Sequence, residues 1–176
     1  MNTPSPNLFP ALPPDALAWV YVSEAPIPDA LADAFRSFLP SWTSHGRRVH
    51  GDAAVLGGHA LVVAAHVPGG AISGCGIDAH VREVERLGAA HGLRWASGAD
   101  VAYRDDAGRV RVVTRAAFKA AGRDGIVTAR TAVLGVTPGT VSALREGDFE
   151  RPAAASWHAR LLPHTASAEP APSASL

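Results

Sequence analysis

Ala60-Leu61-Val62-Val63-Ala64-Ala65-His66-Val67-Pro68-Gly69-Gly70-Ala71-Ile72-Ser73-Gly74-Cys75-Gly76-Ile77-Asp78 sets the architecture of this chain. From Ala60 to Val67 the one polar side chain is His66, so the segment reads as a short strand, apolar on both faces and therefore central in its sheet. Pro68-Gly69-Gly70 breaks that strand, and Ile77, Val81, Val84 and Leu87 then recur at helical spacing. Gly88 or Gly92 ends the helix, and Asp78 stands one turn before Arg82, a spacing at which opposite charges pair.

Upstream, Arg48 to Leu56 joins the central strand through Gly57-Gly58, which predicts a hairpin. Ala18-Trp19-Val20-Tyr21-Val22, short, aromatic and β-branched, is a first strand. Pro28-Asp29 opens a helix with Leu31, Phe35, Phe38 and Leu39 on one stripe, and Pro40 closes it. Downstream, Val101 to Arg104 and Val110 to Thr114 bracket the turn Asp105-Asp106-Ala107-Gly108, and Thr131 to Leu134 is a further short strand. Thr137 with Pro138 has the form of a cap and first residue of a last short helix reaching toward Glu146. The expected class is α+β: one domain with a mostly antiparallel sheet packed by two main helices, followed by C-terminal additions. The order through the strand after the second helix, β-α-β-β-α-β, is that of ferredoxin-like sandwiches. Residues 1–14 are expected to be a flexible Pro-rich arm, 15–163 the domain, and 164–176 a disordered Ala/Ser/Pro tail.

Composition narrows the function classes. The chain has 176 residues, 47% of them hydrophobic, enough for one sizeable core. Sixteen basic residues balance sixteen acidic ones, so no global field draws the protein to nucleic acid or an anionic membrane, and neither is an expected partner. Its single cysteine forbids an internal disulfide, and Met1 to Pro6 lacks the basic and apolar regions of a signal peptide; both fit a cytoplasmic protein. Ala53 to Val67 is interrupted by Gly57-Gly58-His59 and is too short to span a bilayer.

Three segments concentrate chemistry: Ser41-Trp42-Thr43-Ser44-His45-Gly46, Ser73-Gly74-Cys75-Gly76-Ile77-Asp78, and Ser156-Trp157-His158-Ala159-Arg160. Their pattern, Trp-x-x-His-Gly, Ser-Gly-Cys-x-Ile-Asp and Ser-Trp-His-x-Arg, resembles a family of small uncharacterised bacterial proteins often labelled "ABC transporter ATPase". The resemblance covers roughly Leu17 to Leu161 and implies motifs rather than a mechanism; where those proteins commonly carry serine after the cysteine, this chain has Gly76. The ATPase label fails on the residues. A phosphate-binding Walker A loop needs glycine before its lysine and a hydroxyl after it, and the only lysine, Lys119, lies between Phe118 and Ala120.

Cys75 falls where a glycine-rich loop runs into a helix, and unpaired N–H groups at a helix start favour a thiolate or an anion. As a nucleophile it would take His45 or His158 as base, with Asp78 orienting an imidazole or stabilising its own helix. The plainer alternative is a small hydrophobe packed under the loop. If the segments converge, Ser73, Gly74 and Gly76 supply backbone or hydroxyl groups to a ligand, while Trp42, Trp157 and Arg160 wall the same pocket. Its occupant is expected to be a small molecule, turned over by thiol or acid-base chemistry or simply bound, for instance as an anion. A third class is a protein-interaction domain. His45, Cys75, Asp78 and His158 are zinc ligand types in no recognisable ligand spacing, so no metal and no cofactor is assigned. His50, His59, His66, His80, His91 and His164 receive no role, and the oligomeric state stays open.

Overall fold

Residues Ala60 to Ala65 are buried without exception, so their strand needs apolar cover on both faces, and the rest of the chain supplies it. The computed structural model describes residues 6–137 and 139–163. Its elements are β1 (Leu17–Val22), α1 (Ala30–Arg36), β2 (Thr43–Ser44), β3 (Arg47–Arg48), β4 (His50–Leu56), β5 (Ala60–His66) and α2 (Gly74–Ala90). There follow β6 (Asp100–Arg104), β7 (Val110–Thr114), α3 (Arg115–Arg123), β8 (Ala132–Leu134), β9 (Gly139–Thr140), α4 (Val141–Arg145) and β10 (Glu150–Pro152), with 3-10 turns at Leu39–Ser41, Ala153–Ala155 and Trp157–Leu161. The class is α+β, with antiparallel pairing throughout the described strands.

Two four-stranded sheets, ordered β4-β5-β1-β9 and β10-β8-β6-β7, stack face to face, and strand alternation determines the layers. Ala18, Val20 and Val22 of β1 and Ala60, Val62 and Ala64 of β5 point one way, meeting Ala102, Val110 and Leu134 of the second sheet. Trp19, Leu61, Val63 and Ala65 point the other way, onto Leu31 and Phe35 of α1 and Val84 and Leu87 of α2. On the far side, Val101, Tyr103 and Val133 pack on Phe118 of α3. Helices therefore cover both outer faces of a double sheet. Between the sheets the facing residues of β1 and β5 are alanine and valine, small enough for close stacking, while the bulky Trp19 is directed to the helix side.

The ferredoxin-like order is not what forms. In that arrangement the strand after the second helix lies beside β1, whereas β6 joins the second sheet. The chain leaving α2 touches β1 only at its end, through the bridge Ser23 to Trp95 and the bond from Ala96 N to Val22 O at 2.7 Å. The free flank of β1 is taken at its other end by β9, where Leu17 pairs with Thr140. Four helices form rather than the two main helices and one short C-terminal helix expected, and the last begins at Thr140, whose hydroxyl accepts from Ala143 N, rather than at Thr137; Pro138 lies outside the described residues. On α2 the described ion pair is Arg86 with Glu83, and Asp78 with Arg82 is not among the ion pairs of the described residues.

Residues 6–14 are not a loose arm. Leu8, Phe9 and Leu12 are buried in the layer between the sheets, and Arg145 of α4 donates to their carbonyl oxygens at 2.9, 2.8 and 3.2 Å. The prolines that signal an extended arm restrict the unfolded chain and so lower the cost of ordering it. Residues 1–5 and the expected tail, 164–176, lie outside the described residues.

Candidate functional site

Two of the three chemistry-bearing segments meet at the start of α2. Ser73 caps the helix, its Oγ accepting from Gly76 N at 3.2 Å. Ser44, buried on β2, accepts from Ser73 N at 2.8 Å and donates to Ser73 Oγ at 3.0 Å. Trp42 Nε1 donates to Gly76 O at 2.8 Å. Gly76 is fixed by crowding: a Cβ there would meet Ile72 Cγ2 at 2.9 Å and Ser44 Cβ at 3.2 Å. His45 and Gly46 form the tip of the β2-β3 hairpin, with φ of +50° and +74°. His45, Gly74, Cys75 and Asp78 are exposed to solvent or nearly so; Cys75 is not a buried hydrophobe.

The third segment lies elsewhere. Trp157 and His158 sit near Phe118 on the second-sheet side, and with Ala18 and Val20 they line a cleft on the opposite face of β1 from Trp19 and α2. The expected pocket joining His45, Cys75 and His158 therefore does not form, because the first sheet stands between them. Arg160 is exposed and is not among the lining residues of that cleft.

The cleft holds about 300 Å³. Val133 and Leu144 extend its apolar floor, Thr137 and Ser156 add hydroxyls, and Arg151 and Asp148 pair at its rim at 2.6 Å. His158 is buried, stacked on Trp157 with centroids 3.9 Å apart, and the Arg115 guanidinium lies 4.8 Å from the Trp157 ring centroid. Its Nδ1 lies 2.8 Å from Ser156 Oγ, which is in turn 3.0 Å from Ala153 O. That second contact requires the Ser156 proton to point at Ala153, since two bare oxygens at this distance repel. The ring proton is then on Nδ1, donating to Ser156, and Nε2 presents a lone pair. Nε2 has no hydrogen-bond partner among the described residues. Burial, with a smaller contribution from the Arg115 charge, lowers the His158 pKa to about 4, so the ring is neutral at pH 7.

His80 received no role from sequence, yet it is the most enclosed ionisable group at the first site. It is fully buried, its ring 4.3 Å from that of Trp19 and 5.1 Å from that of Trp42, centroid to centroid. Tyr21 OH lies 2.9 Å from His80 Nε2. Burial, then the Glu85 charge, raises the Tyr21 pKa, so the phenol keeps its proton in its hydrogen bond with the ring. Burial lowers the His80 pKa to about 4 against a weaker opposing pull from the Gly76 carbonyl, and Nδ1 has no partner. A signal was present in the sequence: Gly76, His80, Val84 and Leu87 recur at helical spacing and form the buried face of α2, with Ile77 partly buried beside them.

Among the described residues no three of His, Cys, Asp or Glu gather as a metal site, and no helix is long and apolar enough to cross a membrane. Lys119 lies inside α3, remote in kind from a phosphate-binding loop. No family model, curated protein or solved structure matched this chain.

Proposed function

We propose that this protein is a small-molecule binding module whose ligand enters the cleft beside His158 and leaves unchanged. The observation that carries the proposal is a buried, neutral imidazole that lines the cleft, one nitrogen held by Ser156 and no described partner on Nε2. A lone pair in an apolar cleft calls for a ligand hydrogen-bond donor, a hydroxyl or an amide N–H, on an otherwise apolar body of modest size. An anion is disfavoured, because Arg151 is already neutralised by Asp148. Binding is favoured over acid-base turnover because a base with pKa about 4 is far from the working pH at which proton transfer is efficient.

A thermal-shift screen of neutral metabolites, followed by titration of the Trp fluorescence, tests this. A hit should raise Tm in the wild type and lose most of its shift in His158→Phe, which keeps the ring but removes Nε2. Equal shifts in both proteins would end this assignment. A second reading, thiol chemistry, is favoured by the exposure of Cys75 in the first turn of α2. Iodoacetamide labelling against pH decides it: a rate that stays high below pH 7 supports an activated thiolate, and ordinary alkaline-only labelling removes it.

A further inference from the structure

We propose that His50 and His66 form a two-imidazole chelate for a late first-row divalent metal ion, Cu²⁺ in preference to Ni²⁺ or Zn²⁺. The two residues are direct cross-strand partners in the β4-β5 register, so both side chains leave the sheet on the same face. Their ring centroids are 5.6 Å apart and the planes are inclined at 41°. An ion about 2.0–2.1 Å from a ring nitrogen lies about 3.2 Å from that ring's centroid, and two rings at the observed spacing then subtend about 120° at the ion. The two imidazoles of this cross-strand pair are therefore within reach of a single ion.

Access and surroundings fit a surface chelate. His50 is exposed and His66 half-buried, and both line a hollow of about 210 Å³ beside Leu12 and Leu39. Arg48 is the one other ionisable side chain lining that hollow, and its charge opposes a cation. With two protein ligands the remaining positions fall to water. This selects Cu²⁺, which stands highest in affinity for imidazole among these ions, over Zn²⁺, whose tight sites use three or four protein ligands. Neither histidine belongs to the His158 cleft, so the site stands apart from the ligand proposed there.

The test is calorimetric titration of the full chain with Cu²⁺, Ni²⁺ and Zn²⁺ in a non-coordinating buffer, together with electron paramagnetic resonance of the Cu²⁺ form. One Cu²⁺ per chain is expected, with a spectrum showing two imidazole nitrogens. His50→Ala and His66→Ala should each weaken binding by about tenfold or more, His91→Ala should leave it unchanged, and Arg48→Gln should strengthen it. Circular dichroism verifies that the variants remain folded. Equal Cu²⁺ affinity in the wild type and the His50→Ala/His66→Ala double variant, or a spectrum with one nitrogen, overturns the proposal.

Discussion

The molecule contains two tryptophan-histidine stacks, one closed and one open. His80 is buried against both Trp19 and Trp42, with Tyr21 on one nitrogen; His158 lies on Trp157 and lines the cleft, with Ser156 on one nitrogen. Burial drives both pKa values to about 4. The difference is exposure: Trp42 is 0% accessible and Trp157 is 37% accessible. Equal pKa shifts therefore do not mean equal roles. The closed stack cements α2 to the first sheet, while the open one is where an outside molecule can interact.

The largest effect should come from removing the centre of the closed stack. Trp42→Ala deletes a fully buried ring and the donor to Gly76 O, and should cost about 3–5 kcal/mol in urea denaturation. Trp157→Ala, at the open stack, should cost about 1 kcal/mol. A similar loss for both would erase the distinction between them.

Acid comes next. The folded-state pKa of His80 lies below its unfolded value of 6.5, so folding favours the neutral ring. Its contribution is complete above pH 6.5 and is lost as pH falls toward 4, a change of roughly 3 kcal/mol. His80→Phe keeps a ring against both tryptophans and cannot titrate, so it should flatten the stability profile over that window. His158, lowered to a similar pKa, should contribute a change of similar size over the same window, which His158→Phe should remove. Urea midpoints between pH 7 and pH 4 measure both, and a flat wild-type profile would contradict the closed environment of His80.

What sequence could foresee tracks how local each feature is. The strands β1, β4 to β7 and the helices α1 and α2 are legible because runs such as Ala18 to Val22 and Leu31 to Leu39 carry their own periodicity and stops. The helix α3 escaped notice because Phe118 and Gly122 are its only buried residues, too sparse a stripe among alanine, arginine and lysine. The strand β8 was legible as Thr131 to Leu134, whereas β9 and β10 span two and three residues and exist through pairing with distant strands. Val84 and Leu87 of the expected α2 stripe are buried, while its first positions shift to Gly76 and His80, because histidine at position 80 does not look like core until it is seen packed against two tryptophans. The failed convergence has a similar cause. Which face of β1 each motif occupies is set by tertiary packing, although the small-large alternation of Ala18, Trp19 and Val20 hinted at two unlike faces.

A smaller effect separates neighbouring glycines at the α2 start. Gly76→Ala drives a methyl against Ile72 and Ser44 and should cost about 1–3 kcal/mol, whereas Gly74→Ala enters open space and should cost little. The same crowding excludes a serine at position 76 without movement of the β2-β3 hairpin. Thermal melts of the two variants compare them directly, and equal melting temperatures would mean the hairpin yields freely.

The smallest effect is expected at Cys75. Its thiol is exposed, and the groups around it already satisfy one another: Ser44 with Ser73, Ser73 with Gly76, Trp42 with Gly76. Cys75→Ser should therefore change stability by less than about 0.5 kcal/mol and leave a ligand shift at the His158 cleft intact. Loss of that shift would couple the two faces of the first sheet, which the separation of the open and closed stacks forbids. The decisive measurement is the ligand-induced Tm of Cys75→Ser beside that of His158→Phe: the first should match the wild type and the second should not.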